Sequence, residues 1–191
     1  MKREVSMKLK VISKIAAVAF ATAIFSGQAF ATALNSNLIV NPGAETDTGV
    51  FNSSSTKVPS GWQREGNFTV VSYGQGGLQD ITVSNNFSGG KNYFFGGPST
   101  ATFDNKSSRA WQTINISDVA ANVDQGQITA NLSGYLGGYS SQTDNMSLYA
   151  LFIDSNNGTI GQLQIGPVTD KDRNNKNDLL KRQGSKIVIL S

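Results

Sequence analysis

Carboxylates are the side chains best suited to acid–base chemistry in this 191-residue chain, because it contains neither histidine nor cysteine. Ser-His-Asp triads, cysteine nucleophiles and typical zinc hydrolysis are thereby excluded. Glycoside hydrolysis would need two acids facing each other across a cleft, roughly 5–10 Å apart. Asp80, Asp144 and Asp154 are available, but each lies in a turn-like sequence next to Asn, Gly, Gln or Ser. This context favours solvated turn acids, so we predict that the protein is not an enzyme.

Aromatic and amide side chains suggest binding instead. Flat rings on a polar, concave surface can stack on the apolar face of a sugar ring. The candidates are Trp62, Trp111, Asn131, Tyr135 and Tyr139. Tyr135 shares the polar face of one predicted strand with Asn131, and Tyr139 follows in a glycine-containing loop. The alternative is that Trp62 and Trp111 pack in the core or at a sheet edge.

Residues 1–31 have the features of a secretory signal peptide. A basic start precedes the apolar run Ile15–Phe25, and small residues follow at Ala29 and Ala31. This arrangement predicts cleavage after Ala31, with cleavage after Ala33 as the alternative. The apolar run is shorter than the ~20 residues that span a bilayer, so we expect no membrane span in the mature protein. The predicted location is secreted or periplasmic, after Sec-type export.

Removal of this peptide changes the charge balance of the protein. The full chain has 16 basic and 13 acidic residues, net +3. The peptide holds five basic residues and one acid, which leaves 11 basic and 12 acidic residues, net −1. Nucleic-acid binding requires a basic patch on the folded domain, so we predict no nucleic-acid partner.

The mature sequence predicts an all-β, antiparallel β-sandwich. Gly, Asn, Ser and Thr are frequent, and short β-rich runs alternate with turn clusters. Residues 32–170 are predicted to form one binding domain, with one helical turn at Val119–Val123 capped by Ser117 or Asp118. The predicted strands are Leu38–Val40, Phe68–Tyr73, Asp80–Val83, Tyr93–Phe95, Trp111–Ile116, Ile128–Leu136, Met146–Asp154, Ile160–Ile165 and Ile187–Leu190.

Five segments with recurring turn and strand features follow one another along the chain: Asn37–Glu45, Val58–Trp62, Lys91–Gly97, Ala110–Ile114 and Asn131–Gly138. In this order they resemble galactose-binding-like jelly-roll domains of exported bacterial proteins, including carbohydrate-binding modules. The resemblance implies a jelly roll and a non-catalytic, extracytoplasmic module that recognises carbohydrate or a cell-surface ligand. The alternative is a structural or adhesive envelope or matrix protein without a small ligand.

The same resemblance implies a structural Ca²⁺ site. In such domains, Glu45 and nearby oxygens, here including Asp47, would hold the ion together with an acid from a closing strand. Ca²⁺ takes six to eight oxygen ligands. Residues 171–191 contain no sequence like that closing strand, and we expect them to form a charged tail that is irregular or truncated. We therefore expect calcium binding to be weak or absent.

Overall fold

The computed structural model describes residues 6–14, 19–26, 36–51, 55–75, 78–98 and 106–189. These residues form ten strands and two five-residue helices, neither of which is long enough to cross a membrane. The elements are β1 (Ser6–Lys14), β2 (Ala19–Ser26), β3 (Gln63–Glu65), β4 (Thr69–Ser72), α1 (Ile81–Asn85), β5 (Asn92–Phe95), β6 (Ser108–Asn115), α2 (Ala120–Asp124), β7 (Ile128–Gly137), β8 (Asn145–Ile153), β9 (Thr159–Ile165) and β10 (Leu179–Val188).

The strands form two five-stranded antiparallel sheets, which confirms the all-β prediction. Sheet A has the order β3-β6-β1-β8-β9, and sheet B has the order β10-β7-β2-β5-β4. Non-consecutive neighbours in both sheets mean that the chain crosses repeatedly between them. Segments far apart in sequence are therefore brought side by side.

One hydrophobic core contains buried residues of both sheets. On β7, the predicted alternation is confirmed: Ile128, Ala130, Leu132 and Leu136 are all buried, and the intervening residues are half-buried. Sheet A contributes residues of β8, including the fully buried Phe152. The period-two pattern of β7 thus fixes which face of this strand packs in the core.

A second apolar cluster covers the other side of sheet B. It contains Tyr73 and Tyr93, whose ring centroids lie 4.7 Å apart. Phe87, which follows α1, stacks on Tyr135 with centroids 3.9 Å apart and planes 14° from parallel. Strand β5 is consequently buried along its whole length. The chain between β4 and β5 therefore provides this face with its own apolar cover.

The middle strand of each sheet comes from the N-terminal segment that the sequence predicts to be a signal peptide. β1 pairs antiparallel with both β6 and β8, and β2 pairs with β7 along eight positions. With β5, β2 shares only the pair Ala19 and Phe94. Ala31 and Ala33, the predicted cleavage positions, lie outside the described residues, and cleavage there stays a prediction.

Two predicted strands are wrong. Asp80–Val83 begins α1 instead, because the Asp80 carboxylate accepts a hydrogen bond from the Thr82 amide at 2.8 Å and caps the helix. Leu38–Val40 lies outside the strands, where the Gln112 side chain both donates to and accepts from the Val40 backbone. A side-chain amide thus takes the place of a neighbouring strand.

The helical turn predicted near residue 120 is present, without its predicted caps. A 3-10 turn at Ser117–Val119 leads into α2, and neither begins with a side-chain cap. Asn115 instead accepts from the Ser117 amide at 2.8 Å. The turn is anchored by Val119 and Val123, which are buried in the core.

The prediction of an irregular tail at 171–191 is wrong for Leu179–Val188. This segment is β10, which pairs with β7 at ten successive positions. β10 is an edge strand of sheet B, and it carries Lys181, Arg182 and Lys186. Edge strands commonly carry such charges, which disfavour pairing with further chains. The same charges make the segment resemble a solvated loop in the sequence.

Candidate ligand-binding site at one end of sheet B

Two loops line a pocket of about 260 Å³, and a further loop is hydrogen-bonded to both of them. The first loop, which follows β4, and the third loop, which precedes β10, supply the lining, and the second loop joins β7 to β8. The lining is mixed, with two side-chain amides, one carboxylate and one apolar side chain. The lining residues are Gly74, Leu78, Gln79, Asp80 and Asn177.

Two amide side chains tie these loops together. The buried Gln79 donates from Nε2 to the Gly138 carbonyl oxygen at 3.0 Å. Asn177 donates from Nδ2 to the Leu78 carbonyl oxygen at 2.9 Å, and its Oδ1 accepts from the Ser140 amide at 2.7 Å. Each loop is therefore hydrogen-bonded to at least one other around the pocket.

A buried ion pair holds the second and third loops. The Arg173 Nη2 and Asp144 Oδ1 atoms lie 3.3 Å apart, and the two side chains are 0% and 1% exposed. Arg173 also donates to the carbonyl oxygens of Ser140 and Lys176, at 2.9 and 2.6 Å. The Asp144 carboxylate accepts a hydrogen bond from the Tyr139 backbone amide at 2.8 Å. These bonds fix the backbone on both sides of Tyr139.

Gly138 is required for this packing. A Cβ atom at this position would come within 2.7 Å of both Arg173 Nη2 and Asp144 Oδ1. Any larger residue would push the guanidinium away from the carboxylate. The glycine directly after β7 therefore permits the close approach of the ion pair.

Burial raises the pKa of Asp144 to about 6. The Tyr139 amide and the Arg173 guanidinium act in the opposite direction, but do not fully offset the desolvation of the carboxylate. The ion pair between the second and third loops thus contains a carboxyl group whose pKa lies well above the usual range for aspartate.

The predicted binding residues fall into two groups. Asn131 and Tyr135 lie on the outward face of β7, half-buried, and the half-buried Tyr139 lies in the loop beyond. Their common strand brings Asn131 and Tyr135 to one side of sheet B. Trp111 is also half-buried, but it lies on β6 of sheet A. One surface of Tyr135 is covered by Phe87.

Trp62 is buried in the core, as the packing alternative describes. Its side chain is 5% exposed and meets Phe94 edge-on, with ring centroids 5.2 Å apart. The indole nitrogen donates to the Asn41 carbonyl oxygen at 3.3 Å. In this position the ring presents no face to a ligand, so Trp62 is not part of the candidate site.

Comparison with protein-family models, with curated proteins and with solved structures found no match to this chain.

The carboxylates of Glu45 and Asp47 accept hydrogen bonds that hold loops together. The Asp47 carboxylate accepts hydrogen bonds from Ser60, through amide and hydroxyl at 2.8 Å each, and from Asn41 Nδ2 at 2.9 Å. Glu45 Oε1 accepts from the Lys91 and Asn92 amides. Among the described residues, no group of three Asp, Glu, His or Cys side chains could hold a metal ion. These residues therefore do not fit a Ca²⁺ site.

The remaining turn acids also have structural partners. Asp80 caps α1, and Asp154 accepts from the Asn156 and Gly158 amides at 2.9 and 2.7 Å. Sequence reasoning missed Gln79, Arg173 and Asn177, whose partners lie 29 to 99 residues away in the sequence. No local pattern around these residues indicates contacts over such separations.

Proposed function

We propose that the protein is an exported, non-catalytic binding protein with a galactose-binding-like jelly-roll sandwich, and that it recognises carbohydrate. The site is the pocket lined by Gln79, Asp80 and Asn177, together with Tyr139 in the loop whose backbone is hydrogen-bonded to Gln79 and Asn177. The resemblance of the sequence segments supports the jelly roll, and the core that residues 39–188 of the two sheets share is compatible with it.

The observation that carries the proposal is the fixed position of the Tyr139 loop beside a polar pocket. The ion pair of Arg173 and Asp144 orders the loop before any ligand arrives. Preorganisation reduces the entropy lost on binding. A half-buried tyrosine in such a loop offers both a flat ring and a hydroxyl group to a sugar.

The chemistry of the pocket favours a neutral ligand. Asp80 and Asn177 supply oxygen and nitrogen atoms for hydroxyl groups, while Leu78 supplies an apolar surface. A carboxylate in the lining disfavours anionic ligands such as nucleic acid. The volume lies below the range of about 300–1,000 Å³ typical of drug-sized ligands, so the pocket suits one sugar ring.

The test is a glycan array followed by calorimetry with the best ligand. Tyr139→Ala should weaken binding about tenfold, equivalent to about 1.4 kcal/mol. Tyr149→Ala is the matched control, because Tyr149 is a half-buried tyrosine on sheet A. Equal affinity in both variants, or no saturable glycan binding by the wild-type protein, would refute the carbohydrate proposal.

The alternative is a structural or adhesive protein of the envelope or matrix. Two exposed apolar residues at the end of β10 favour it: Ile187 is 54% exposed and Ile189 is 52% exposed. Apolar groups at a sheet edge promote association between chains. Concentration-dependent assembly in ultracentrifugation, abolished by Ile187→Lys, would support this alternative.

A further inference from the structure

The middle strand of sheet A belongs to the segment whose removal we propose. β1 pairs antiparallel with β6, from Ser6 opposite Asn115 to Ser13 opposite Ser108, and it pairs with β8 along nine positions. Strands β6 and β8 do not pair with each other. Loss of residues 1–31 would therefore leave a space one strand wide, which we call the sheet A slot. Its edges are the sides of β6 and β8 that face β1.

The edges of this slot would be costly if left empty. Two strand spacings, about 9.4–9.8 Å, separate β6 from β8, which is too far for direct hydrogen bonds. The facing N–H and C=O groups would lose their partners. Leu148, Ala150 and Phe152, each at most 1% exposed, lie at positions paired with β1 and would lose a neighbouring strand.

We infer that, in the exported protein, the sheet A slot accepts one extended strand donated by another polypeptide. The inference rests on the proposed export and cleavage. The incoming strand runs antiparallel to both neighbours and forms a hydrogen-bond ladder on each side. Insertion of a strand at an open sheet edge is an established mode of peptide recognition. Here two edges provide roughly twice the backbone pairing of a single edge.

The register of the slot defines the chemistry of the donor. Every second position of the slot lies between a buried residue of β6 and a buried residue of β8, such as Ala110 and Leu148, or Gln112 and Ala150. The position between them lies beside the half-buried Trp111 and Tyr149. A donor of eight or nine residues should thus alternate apolar with polar residues. The segment Ser6–Lys14 has this pattern, Met-Lys-Leu-Lys-Val, in its first half.

The corresponding position in sheet B is a weaker acceptor. β2 pairs with β7 along eight positions but with β5 at only one. A donor there would gain one complete ladder. The sheet A slot, bordered by eight pairs on one side and nine on the other, is the stronger site.

The experiment uses the full chain with β1 disabled by Val11→Pro, because proline removes the amide that a central strand needs. Val11→Thr, which keeps the amide, is the control. The probe is a fluorescent nonapeptide with the sequence of Ser6–Lys14. We expect saturable binding to Val11→Pro, at least tenfold weaker binding to Val11→Thr, and a melting temperature of Val11→Pro that rises with peptide concentration. A shuffled peptide with its apolar residues adjacent should not bind.

A second version covers failure of Val11→Pro to fold. A protease site is inserted between Ala31 and Thr32, and the folded full chain is cut. The released segment should stay bound during gel filtration and exchange with excess labelled nonapeptide. Its immediate loss, with unchanged hydrogen exchange of the β6 and β8 amides, would overturn the inference. Binding of the shuffled peptide as tightly as the true one would also overturn it.

These outcomes are separable from failure of the proposed function. The peptide experiment involves no glycan and no cell. Absence of cleavage in the producing cell would appear as an intact N-terminus in mass analysis. The carbohydrate proposal is judged by calorimetry alone.

Discussion

Two buried aspartates tie loops at different places, and they are stabilised in opposite ways. Asp47 accepts its hydrogen bonds mainly from neutral groups of Ser60 and Asn41, with Lys57 3.7 Å away and half-exposed. Asp144 faces the fully buried Arg173. The first carboxyl has a lowered pKa and the second a raised one. The difference follows from the balance with desolvation, which outweighs the Tyr139 amide and the Arg173 guanidinium at Asp144 but is itself outweighed at Asp47 by the Ser60 and Asn41 hydrogen bonds and the charge of Lys57.

The largest expected effect comes from breaking the ion pair. Arg173→Ala leaves Asp144 buried without its cation and should lower the free energy of unfolding by about 3–5 kcal/mol. Asp144→Ala and the double variant complete a mutant cycle in urea unfolding. The double variant should lose less than the sum of the two single losses. Strict additivity would show that the two side chains act independently.

The pH dependence of Asp144 should follow from its raised pKa. Because the folded-state pKa of Asp144 is raised, its protonated carboxyl group contributes to stability below the unfolded-state pKa of about 3.9. This contribution is lost as the pH rises through about 6. The stability of the wild-type protein relative to Asp144→Asn should therefore fall by about 2–3 kcal/mol between pH 4 and pH 7. Urea unfolding at successive pH values measures this difference. A constant difference would contradict the raised pKa.

Asp47 should show the opposite pH trend, with a smaller effect. Burial alone would raise its pKa, but hydrogen bonds from Ser60 and Asn41 and the charge of Lys57 outweigh burial and lower it. Asp47→Asn should cost about 2 kcal/mol at pH 7, the order expected for hydrogen bonds to a charged group. Because the folded pKa is lowered, this loss should shrink as pH falls below 3.8. A loss of stability in Asp47→Asn that grows at low pH would contradict the lowered pKa of Asp47.

The smallest effect concerns Glu45. Its carboxylate caps two backbone amides, and Glu45→Ala should cost about 1 kcal/mol while Glu45→Gln costs less. Millimolar Ca²⁺ should leave the unfolding midpoint of all three proteins unchanged. A site saturated a hundredfold over its Kd would add about 2.7 kcal/mol. A calcium-induced rise of the unfolding midpoint that disappears in Glu45→Gln would show that Glu45 takes part in a metal site.

The sequence predicted the parts of the fold whose pattern is local. β4 to β9 overlap predicted runs, because β-rich segments between turn clusters mark these strands and alternation marks the buried face of β7. Local signals failed where two patterns compete. The cap formed by Asp80 overrides the β-branched residues after it, and the charges of β10 conceal an edge strand.

The candidate site was predicted only in part. Tyr139 was predicted because it follows the polar face of β7, and it lies in the loop that is hydrogen-bonded to Gln79, but no residue that lines the pocket was among the predicted binding residues. Arg173 was interpreted as part of a solvated charge cluster, since its charge gives no sign of a partner 29 residues away. Trp62 sits behind a turn in the sequence, but only the packed sheets show that its ring points to Phe94.

The two tyrosines that pack together in the second apolar cluster, Tyr73 and Tyr93, should affect the ultraviolet absorbance of the protein in alkali. Burial raises the pKa of both Tyr73 and Tyr93 far above its ordinary value. Neither phenol should ionise while Phe87 and its neighbours cover sheet B. Phenolate absorbance in strong alkali should therefore develop in two stages, from exposed rings first and from these two only once the cover has opened. The ultraviolet spectrum thus reports separately on the outer layer of the protein.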